Sequence, residues 1–145
     1  MKALLQRVSA ARVEVGGETV GAIGPGLLVL LGLDKGDDLA LAGRLLDKLL
    51  AYRVFADDEG RMNRSVADCA GGVLLVSQFT LSADTRKGLR PSFSSAMPPA
   101  EAEALYDRIC QELQARHANS AFGRFGADMQ VSLTNDGPVT FLLEV

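Results

Sequence analysis

Two short segments combine residue types that could bind and act on a polar substrate. The first is Ser77-Gln78-Phe79-Thr80-Leu81, where hydroxyl and amide groups follow directly on an apolar run. The second is Asn135-Asp136-Gly137-Pro138-Val139-Thr140, near the carboxyl end. Because proline donates no backbone hydrogen bond and glycine accepts most backbone angles, Gly137-Pro138 interrupts the strand pattern around it. We interpret the segments as two halves of one active site; the alternatives are a polar strand end and a simple turn.

Hydroxyl and thiol groups are the candidate nucleophiles, and none of them has a base beside it in the sequence. Thr80 needs a neighbouring base to lose its proton, and the single histidine, His117, falls at a predicted helix end far from either segment. Cys69 and Cys110 show neither a CxxC spacing nor a histidine cluster, so we expect free structural thiols and no metal site. A conventional hydrolase that uses Cys69, Cys110 or Thr80 on another ester is therefore the least favoured hypothesis.

The first half of the chain predicts strands and one helix. Residues 2–20 place valines among polar residues around Gly16-Gly17, which is typical of a hairpin. Residues 26–33 form a continuous apolar run, which predicts a strand buried on both faces at the centre of the sheet. Asp37 or Asp38 caps a helix, and residues 52–55 are predicted to return to strand. The apolar positions of the helix recur at spacings of three and four: Leu41, Leu45, Leu46, Leu49 and Leu50.

The second half places both chemical segments at the ends of strands. An apolar strand is predicted for residues 73–80, and the polar stretch 81–97 is long enough to be a functional loop. Pro98 and Pro99 suit the first turn of a second helix with apolar positions Ala102, Leu105, Ile109 and Leu113. Two more strands, 129–133 and 139–145, flank the Gly-Pro break. The whole pattern predicts a mixed α+β fold, with two helices packed on a curved, mainly antiparallel sheet that approaches a barrel.

Size and charge limit the possible functions. A chain of 145 residues with 48% hydrophobic residues is predicted to form one domain, residues 1–145, with its own core. A formal net charge of −3 argues against a large nucleic-acid groove, although Arg86, Lys87 and Arg90 form a local basic patch opposed only by Asp84. No apolar run approaches the ~20 residues of a membrane span, and no signal peptide is visible. We expect a cytoplasmic protein without a metal or a membrane-spanning segment.

Several motifs, in their order and spacing across the whole chain, resemble the D-aminoacyl-tRNA deacylases. Besides the two segments, they are Gln6-Arg7-Val8, residues 87–93 and residues 125–131. That family consists of small homodimeric editing enzymes that hydrolyse the ester between a D-amino acid and tRNA. The resemblance implies the family's fold, a homodimer with the active site at the subunit interface, no cofactor, and the acceptor end of D-aminoacyl-tRNA as the substrate.

The resemblance also implies roles for the two segments. Ser77, Gln78, Phe79 and Thr80 form the catalytic segment, and backbone N–H groups near Phe79 and Thr80 hold the oxyanion. Either Thr80 attacks the ester, or the 2′-hydroxyl of the terminal adenosine of the tRNA assists the reaction. A cis Gly137-Pro138 bond directs two carbonyls into the partner subunit's pocket, where they exclude the side chain of an L-amino acid. Glycyl-tRNA, which has no such side chain, is an expected additional substrate.

Five further residues receive roles from the resemblance. Arg7 fixes the orientation of the Gly-Pro carbonyls and Met129 lines the pocket; a surface arginine and a core methionine are the alternatives. Arg86, Lys87 and Arg90 contact phosphate groups, or else form an ordinary solvated loop. The alternative to an enzyme is a non-catalytic dimeric RNA-binding module of the same fold. The absence of a histidine base near the two segments favours this alternative.

Overall fold

A six-stranded sheet and two long helices form the body of the protein, and the computed structural model describes all 145 residues. The strands are β1 (Lys2–Val15), β2 (Glu18–Ile23), β3 (Gly26–Gly32), β4 (Phe55–Ala56), β5 (Met62–Arg64), β6 (Gly72–Ser77), β7 (Ser120–Phe122) and β8 (Gln130–Glu144). The helices are α1 (Leu39–Ala51), α2 (Val66–Cys69) and α3 (Pro99–Arg116), and a 3₁₀ turn covers Phe79–Ser82. The predicted mixed α+β fold is confirmed.

The main sheet is curved and nearly closed. Its strand order is β2-β1-β3-β6-β7, and β8 pairs with β1. β1 is antiparallel to β2, β3 and β8, whereas β3 and β6, and β6 and β7, are parallel. The two edges approach each other so closely that a Cβ atom on Gly21 of β2 would lie 2.6 Å from the Phe122 carbonyl oxygen of β7. β4 and β5 form a separate two-stranded ribbon.

The parallel strands β3 and β6 form the centre of the sheet, as the apolar run predicted. Leu31 pairs with Ser77 at their carboxyl ends, and Gly26 pairs with Gly72 at the start. The backbones meet closely at that start, because a Cβ atom on Gly26 would lie 1.9 Å from the Gly72 carbonyl oxygen. Since parallel strands end at the same edge, the residues that follow β3 and β6 lie side by side.

Two apolar clusters cover the two faces of this sheet. Leu27, Val29 and Leu31 of β3 belong to the larger cluster, which also contains the buried residues of α1 and α3. Leu28 of β3 faces the other side, where it packs with residues of β1, β2 and β6 inside the curve. Burial of a leucine side chain such as Leu46 of α1 contributes about 1.5–3 kcal/mol, so these clusters hold the layers together.

The ends of the helices follow from their sequence. Asp38 caps α1, because its side chain accepts a hydrogen bond from the Leu41 N–H (2.8 Å). The other candidate cap, Asp37, instead pairs with the amino-terminal ammonium of Met1 at 3.0 Å. Pro99 is the first residue of α3, where its missing N–H costs no hydrogen bond. The buried face of α3 comprises Ala102, Tyr106, Ile109 and Leu113, and the predicted Leu105 is half-buried.

Several predicted boundaries are wrong. Residues 52–54 are not in a strand, and only Phe55 of that segment belongs to β4. β6 ends at Ser77 rather than at residue 80, because the chain turns into the 3₁₀ turn. The two predicted terminal strands form one strand, β8, since the break at the Gly-Pro pair is absorbed as a bulge opposite β1.

A third, short helix and two short strands were not predicted. α2 is held by a capping box in which the Ser65 and Asp68 side chains each accept a hydrogen bond from the other's backbone N–H. β5 and β7 are only three residues long. β5 pairs with β4 across a turn, whereas β7 pairs with β6, which is distant in sequence. Elements of this length carry no periodicity that a sequence pattern can show.

Candidate active site

A cavity of ≈ 750 Å³ opens at the carboxyl end of β6. One wall is formed by Ser77, Gln78 and Phe79, and another by the start of α3 together with Phe93. Residues 125–127, Met129 and Val131 also line the cavity. Ten of the sixteen lining residues are hydrophobic. A pocket of this size and character can hold a flat organic group such as a nucleobase, with few polar contacts to orient it.

The catalytic segment leaves the sheet as soon as β6 ends. The Gln78 N–H donates to the Leu31 carbonyl at the end of β3 (2.7 Å), and the chain then enters the 3₁₀ turn at Phe79. The N–H groups of Phe79 and Thr80 are the first two donors of that turn and have no acceptor within it. Both N–H groups are therefore free to bind an acceptor from outside the turn.

Thr80 has no basic partner. Its Oγ1 accepts a hydrogen bond from the Gln78 side-chain amide, and an amide does not remove a proton. Thr80 itself is exposed and lies outside the residues that line the cavity. The single histidine is remote from it, since His117 follows α3 and its Nε2 lies 2.6 Å from the Gly71 carbonyl oxygen. The His117 ring instead ties the end of α3 to the start of β6.

The two cysteines do not supply a nucleophile either. Both are free, and neither lines the cavity. Burial raises the pKa of the Cys110 thiol to about 11, which disfavours the reactive thiolate. Cys69 is exposed at the end of α2, and both cysteines are free thiols, as expected.

Met129 lies between the cavity and the protein core. It lines the cavity and also packs against the cluster inside the curved sheet. Phe125, a neighbouring cavity residue, lies 5.8 Å from the ring of the buried Tyr106, measured between centroids. The Tyr106 hydroxyl donates to the Leu75 carbonyl in β6 (2.9 Å), and burial raises the pKa of this phenol. Tyr106 therefore joins the wall at Phe125 to the strand that carries the catalytic segment.

The second segment forms an exposed bulge that does not line this cavity. Gln6 of β1 pairs with Thr140 and Val8 pairs with Asn135, so the four residues 136–139 stand opposite Arg7 alone. The Gly137-Pro138 bond is cis. Gly137 and Pro138 are exposed and do not line the cavity of their own chain. Within one chain, the structure does not bring the two segments together.

Side chains hold this projecting bulge in place. The Arg7 Nε donates to the Asp136 carbonyl (2.8 Å), directly before Gly137, and Nη1 donates to the Val54 carbonyl (2.7 Å). Asn135 closes the bulge from inside: its Oδ1 accepts from the Val139 N–H (2.9 Å) and its Nδ2 donates to the Thr140 hydroxyl (3.1 Å). The sequence suggested only a simple turn as the structural role of this segment, and it gave Asn135 no contact of its own. The only signal for this role of Asn135 was its position within the motif.

The basic loop carries less free charge than the sequence suggested. Arg86 makes a bidentate pair with Asp84, with Nη2 at 2.6 Å from Oδ2 and Nε at 2.9 Å from Oδ1. The Arg86 guanidinium and backbone N–H hold the pKa of the Asp84 carboxyl well below its usual range. Lys87 and Arg90 are exposed, and none of the ion pairs includes them. They are the cations of this loop that no carboxylate of the protein neutralises.

No group of three or more His, Cys, Asp or Glu side chains is arranged to hold a metal ion. None of the helices is both long enough and apolar enough to cross a membrane.

Comparison with known proteins identifies the family. The chain matches the model of the D-Tyr-tRNA(Tyr) deacylase family over residues 4–144. It is 66% identical over 144 residues to a D-aminoacyl-tRNA deacylase of Stutzerimonas stutzeri (strain A1501), which covers 99% of each chain. The chain therefore belongs to the D-Tyr-tRNA(Tyr) deacylase family, which is a family of hydrolases.

Two solved structures share the fold. One, a c-Myc DNA Unwinding Element Binding Protein, superimposes with a TM-score of 0.95 at 43% identity and covers 100% of this chain and 99% of its own. The other, described as a probable eukaryotic D-amino acid tRNA deacylase, has a TM-score of 0.86 at 17% identity over 99% and 98% of the two chains. At that identity the second similarity supports the fold alone.

Proposed function

We propose that this protein hydrolyses the ester bond between a D-amino acid and the 3′ end of tRNA. The products are free tRNA and the D-amino acid. Family membership supports this activity, and the observation that carries it is the cavity at the end of β6. That cavity joins largely apolar walls to the amide of Gln78 and to the free N–H groups at the start of the 3₁₀ turn.

The proposed chemistry relies on position rather than on a strong base. Water attacks the ester carbonyl, the N–H groups of Phe79 and Thr80 bind the developing oxyanion, and the ribose 3′-oxygen leaves with a proton. Because the partner of the Thr80 hydroxyl is an amide, Thr80 is poorly suited to attack the ester itself. The 2′-hydroxyl of the terminal adenosine lies next to the ester and is the group we assign to assist the water.

We assign the rejection of L-amino acids to the bulge at residues 136–139 of a second subunit. The bulge is exposed in its own chain and is held by Arg7 and Asn135, which suits a rigid element that enters a neighbouring cavity. β8 also carries exposed apolar side chains that a second copy would cover: Val131, Leu133, Phe141 and Leu142. In such a homodimer, backbone carbonyls near the α-carbon exclude an L side chain and admit D-aminoacyl and glycyl esters.

We assign the exposed cations of the loop, Lys87 and Arg90, to the phosphates of the acceptor stem. Arg86 is assigned to holding the loop through Asp84, since its guanidinium is already occupied. A substrate of this kind is found in the cytoplasm, which is where we propose that the protein acts.

A direct assay tests the activity and its chirality together. Purified protein is incubated with D-tyrosyl-tRNA and L-tyrosyl-tRNA under the same conditions, and the release of labelled tyrosine is followed over time. We expect release from the D-ester only. Equal rates on both esters would refute the chiral filter, and no release from either ester would refute the hydrolase proposal.

A second candidate function is nucleic-acid binding without hydrolysis. The observation in its favour is the structural relative with a TM-score of 0.95, whose name says that it binds a DNA unwinding element. This candidate predicts that the protein slows the migration of uncharged tRNA or single-stranded DNA on a native gel. It also predicts that D-tyrosyl-tRNA stays intact in the presence of the protein. Turnover of D-tyrosyl-tRNA at a catalytic amount of protein would exclude it as the main function.

A further inference from the structure

Lys35 is the only charged residue among those that line the cavity. It follows β3, at the same edge of the sheet where Gln78 follows β6, because these two strands are parallel and Leu31 pairs with Ser77. Ligands of sheets with parallel strands commonly bind at the carboxyl ends of neighbouring strands. The position of Lys35 thus places a cation beside the catalytic segment without any motif in the sequence to mark it.

The backbone around Lys35 is fixed to the rim of the cavity. The Lys35 N–H donates to the Ser95 carbonyl (3.0 Å), and Asp34 pairs with Ala96 in an isolated antiparallel bridge. On the other side of this bridge, the Met97 N–H donates to the Leu33 carbonyl (3.0 Å). Ala96 and Met97 themselves line the cavity, so the base of the Lys35 side chain stays at its edge.

The charge of Lys35 is not neutralised by the protein. The two acidic residues nearest in sequence, Asp34 and Asp37, both bind the ammonium of Met1, each at 3.0 Å. None of the ion pairs in the protein includes Lys35. An exposed, unpaired ammonium at the rim of a mainly apolar cavity is suited to a single anionic group on the ligand.

We propose that Lys35 binds the 5′-phosphate of the terminal nucleotide of the tRNA, while the base of that nucleotide occupies the cavity. This inference rests on the proposed function. An aminoacyl ester carries an α-ammonium and no carboxylate, so the phosphate is the nearest anion that Lys35 can bind. The same charge repels the α-ammonium, and the aminoacyl group is therefore directed away from Lys35. Lys35 thereby sets the direction in which the acceptor end enters the site.

Nucleotide binding tests this role independently of hydrolysis. Calorimetry measures the binding of adenosine 5′-monophosphate and adenosine to the wild type, to Lys35→Met and to the control Lys48→Met. Lys48 is exposed on α1, is in no ion pair and does not line the cavity. Lys48→Met therefore changes the net charge by the same amount as Lys35→Met but leaves the cavity lining intact. One charge-assisted contact corresponds to a roughly tenfold preference for the monophosphate, which we expect Lys35→Met to lose and Lys48→Met to keep.

Deacylation kinetics give a second readout. We expect Lys35→Met to raise KM for D-tyrosyl-tRNA about tenfold with little change in kcat, because the contact is present in both the bound substrate and the transition state. The slope of log kcat/KM against log salt should become shallower by about 0.7, the value for one phosphate contact on a single strand. A residue with a merely structural role would leave that slope unchanged.

The outcomes separate this inference from the proposed function. Equal affinity of the wild type for the two nucleotides, no binding of the monophosphate, or a preference that survives in Lys35→Met would each overturn the role of Lys35. If no variant hydrolyses D-tyrosyl-tRNA but the monophosphate preference depends on Lys35, the phosphate contact is supported and the hydrolase proposal fails.

Discussion

Replacement of Arg7 by methionine should loosen the bulge at residues 136–139 and weaken chiral discrimination. The Arg7 side chain is only 17% exposed and donates to two carbonyls, those of Asp136 and Val54. Methionine fills much of the same space but donates no hydrogen bond. The variant therefore removes the contacts that hold the carbonyl directly before Gly137, without emptying the site.

The size of the effect follows from those two contacts. A hydrogen bond from a charged group contributes roughly 1.5–3 kcal/mol, and part of this is recovered because water reaches the exposed bulge. We therefore expect a loss of about 2 kcal/mol in the free energy of unfolding. With an unfolding entropy of about 2.1 cal/mol/K per residue, this corresponds to a fall of about 7 °C in Tm. If the bulge excludes L-amino acids, the ratio of D- to L-tyrosyl-tRNA hydrolysis should fall at least about tenfold, since 1.4 kcal/mol corresponds to a factor of ten.

Arg12→Met is the matched control for this experiment. Arg12 lies on the same strand, its side chain is 56% exposed, and its one ion pair is with Glu14. Thermal unfolding at equal protein concentration and parallel assays on the two tyrosyl-tRNAs compare the variants. The reasoning is refuted if Arg7→Met unfolds at the same temperature as Arg12→Met and discriminates between the esters equally well.

Three further predictions concern the bulge, the reaction and the pH dependence of stability. In Gly137→Ala, the added Cβ would lie 2.4 Å from the Val139 nitrogen, so the bulge must shift; we expect D-tyrosyl-tRNA hydrolysis to be abolished while circular dichroism shows an intact fold. Thr80→Val should keep activity within about tenfold, whereas tRNA ending in 2′-deoxyadenosine should not be hydrolysed; a covalent acyl-enzyme in the intact mass would contradict this. The pKa of Asp68 is lowered by hydrogen bonds from the Ser65 backbone and side chain, so its stabilisation is complete above the unfolded value of about 3.9 and is lost as the pH falls through the folded pKa. The Tm difference between wild type and Asp68→Ala should accordingly be large at pH 7 and shrink toward pH 2, and a difference independent of pH would argue against the ionic contribution.

The sequence pattern identified the strands and helices that bury a continuous or periodic apolar face. The strand at residues 26–32, the helix over 39–51 and the helix that begins at Pro99 were all indicated by apolar spacing and end signals. These features depend on neighbours in the sequence, so they can be read locally. α2 and β7 were missed because their stability comes from a capping box and from pairing with a distant strand, and neither has a periodic pattern.

The candidate site was only partly visible in the sequence. The segment at Ser77–Thr80 and the Gly-Pro pair were recognised, and Met129 was placed in the pocket, all through resemblance to a family. The pairing of Arg86 with Asp84 was not foreseen, although the two residues are only two positions apart, because the sequence does not show which charges in a loop meet. The roles of Lys35 and Asn135 also depend on contacts that chain position alone does not indicate.

The sequence by itself determined the class of fold, the family and the two segments proposed to form the site, because these depend on local propensity and on motifs that are complete within a few residues. Only the tertiary structure decided where those segments lie: the first beside a cavity at the end of β6, the second on an exposed bulge of β8 opposite β1. It also placed Lys35 and Gln78 on the same cavity, since two strands far apart in sequence run parallel and end together. Such placement results from the packing of the whole chain, and no single stretch of residues contains it.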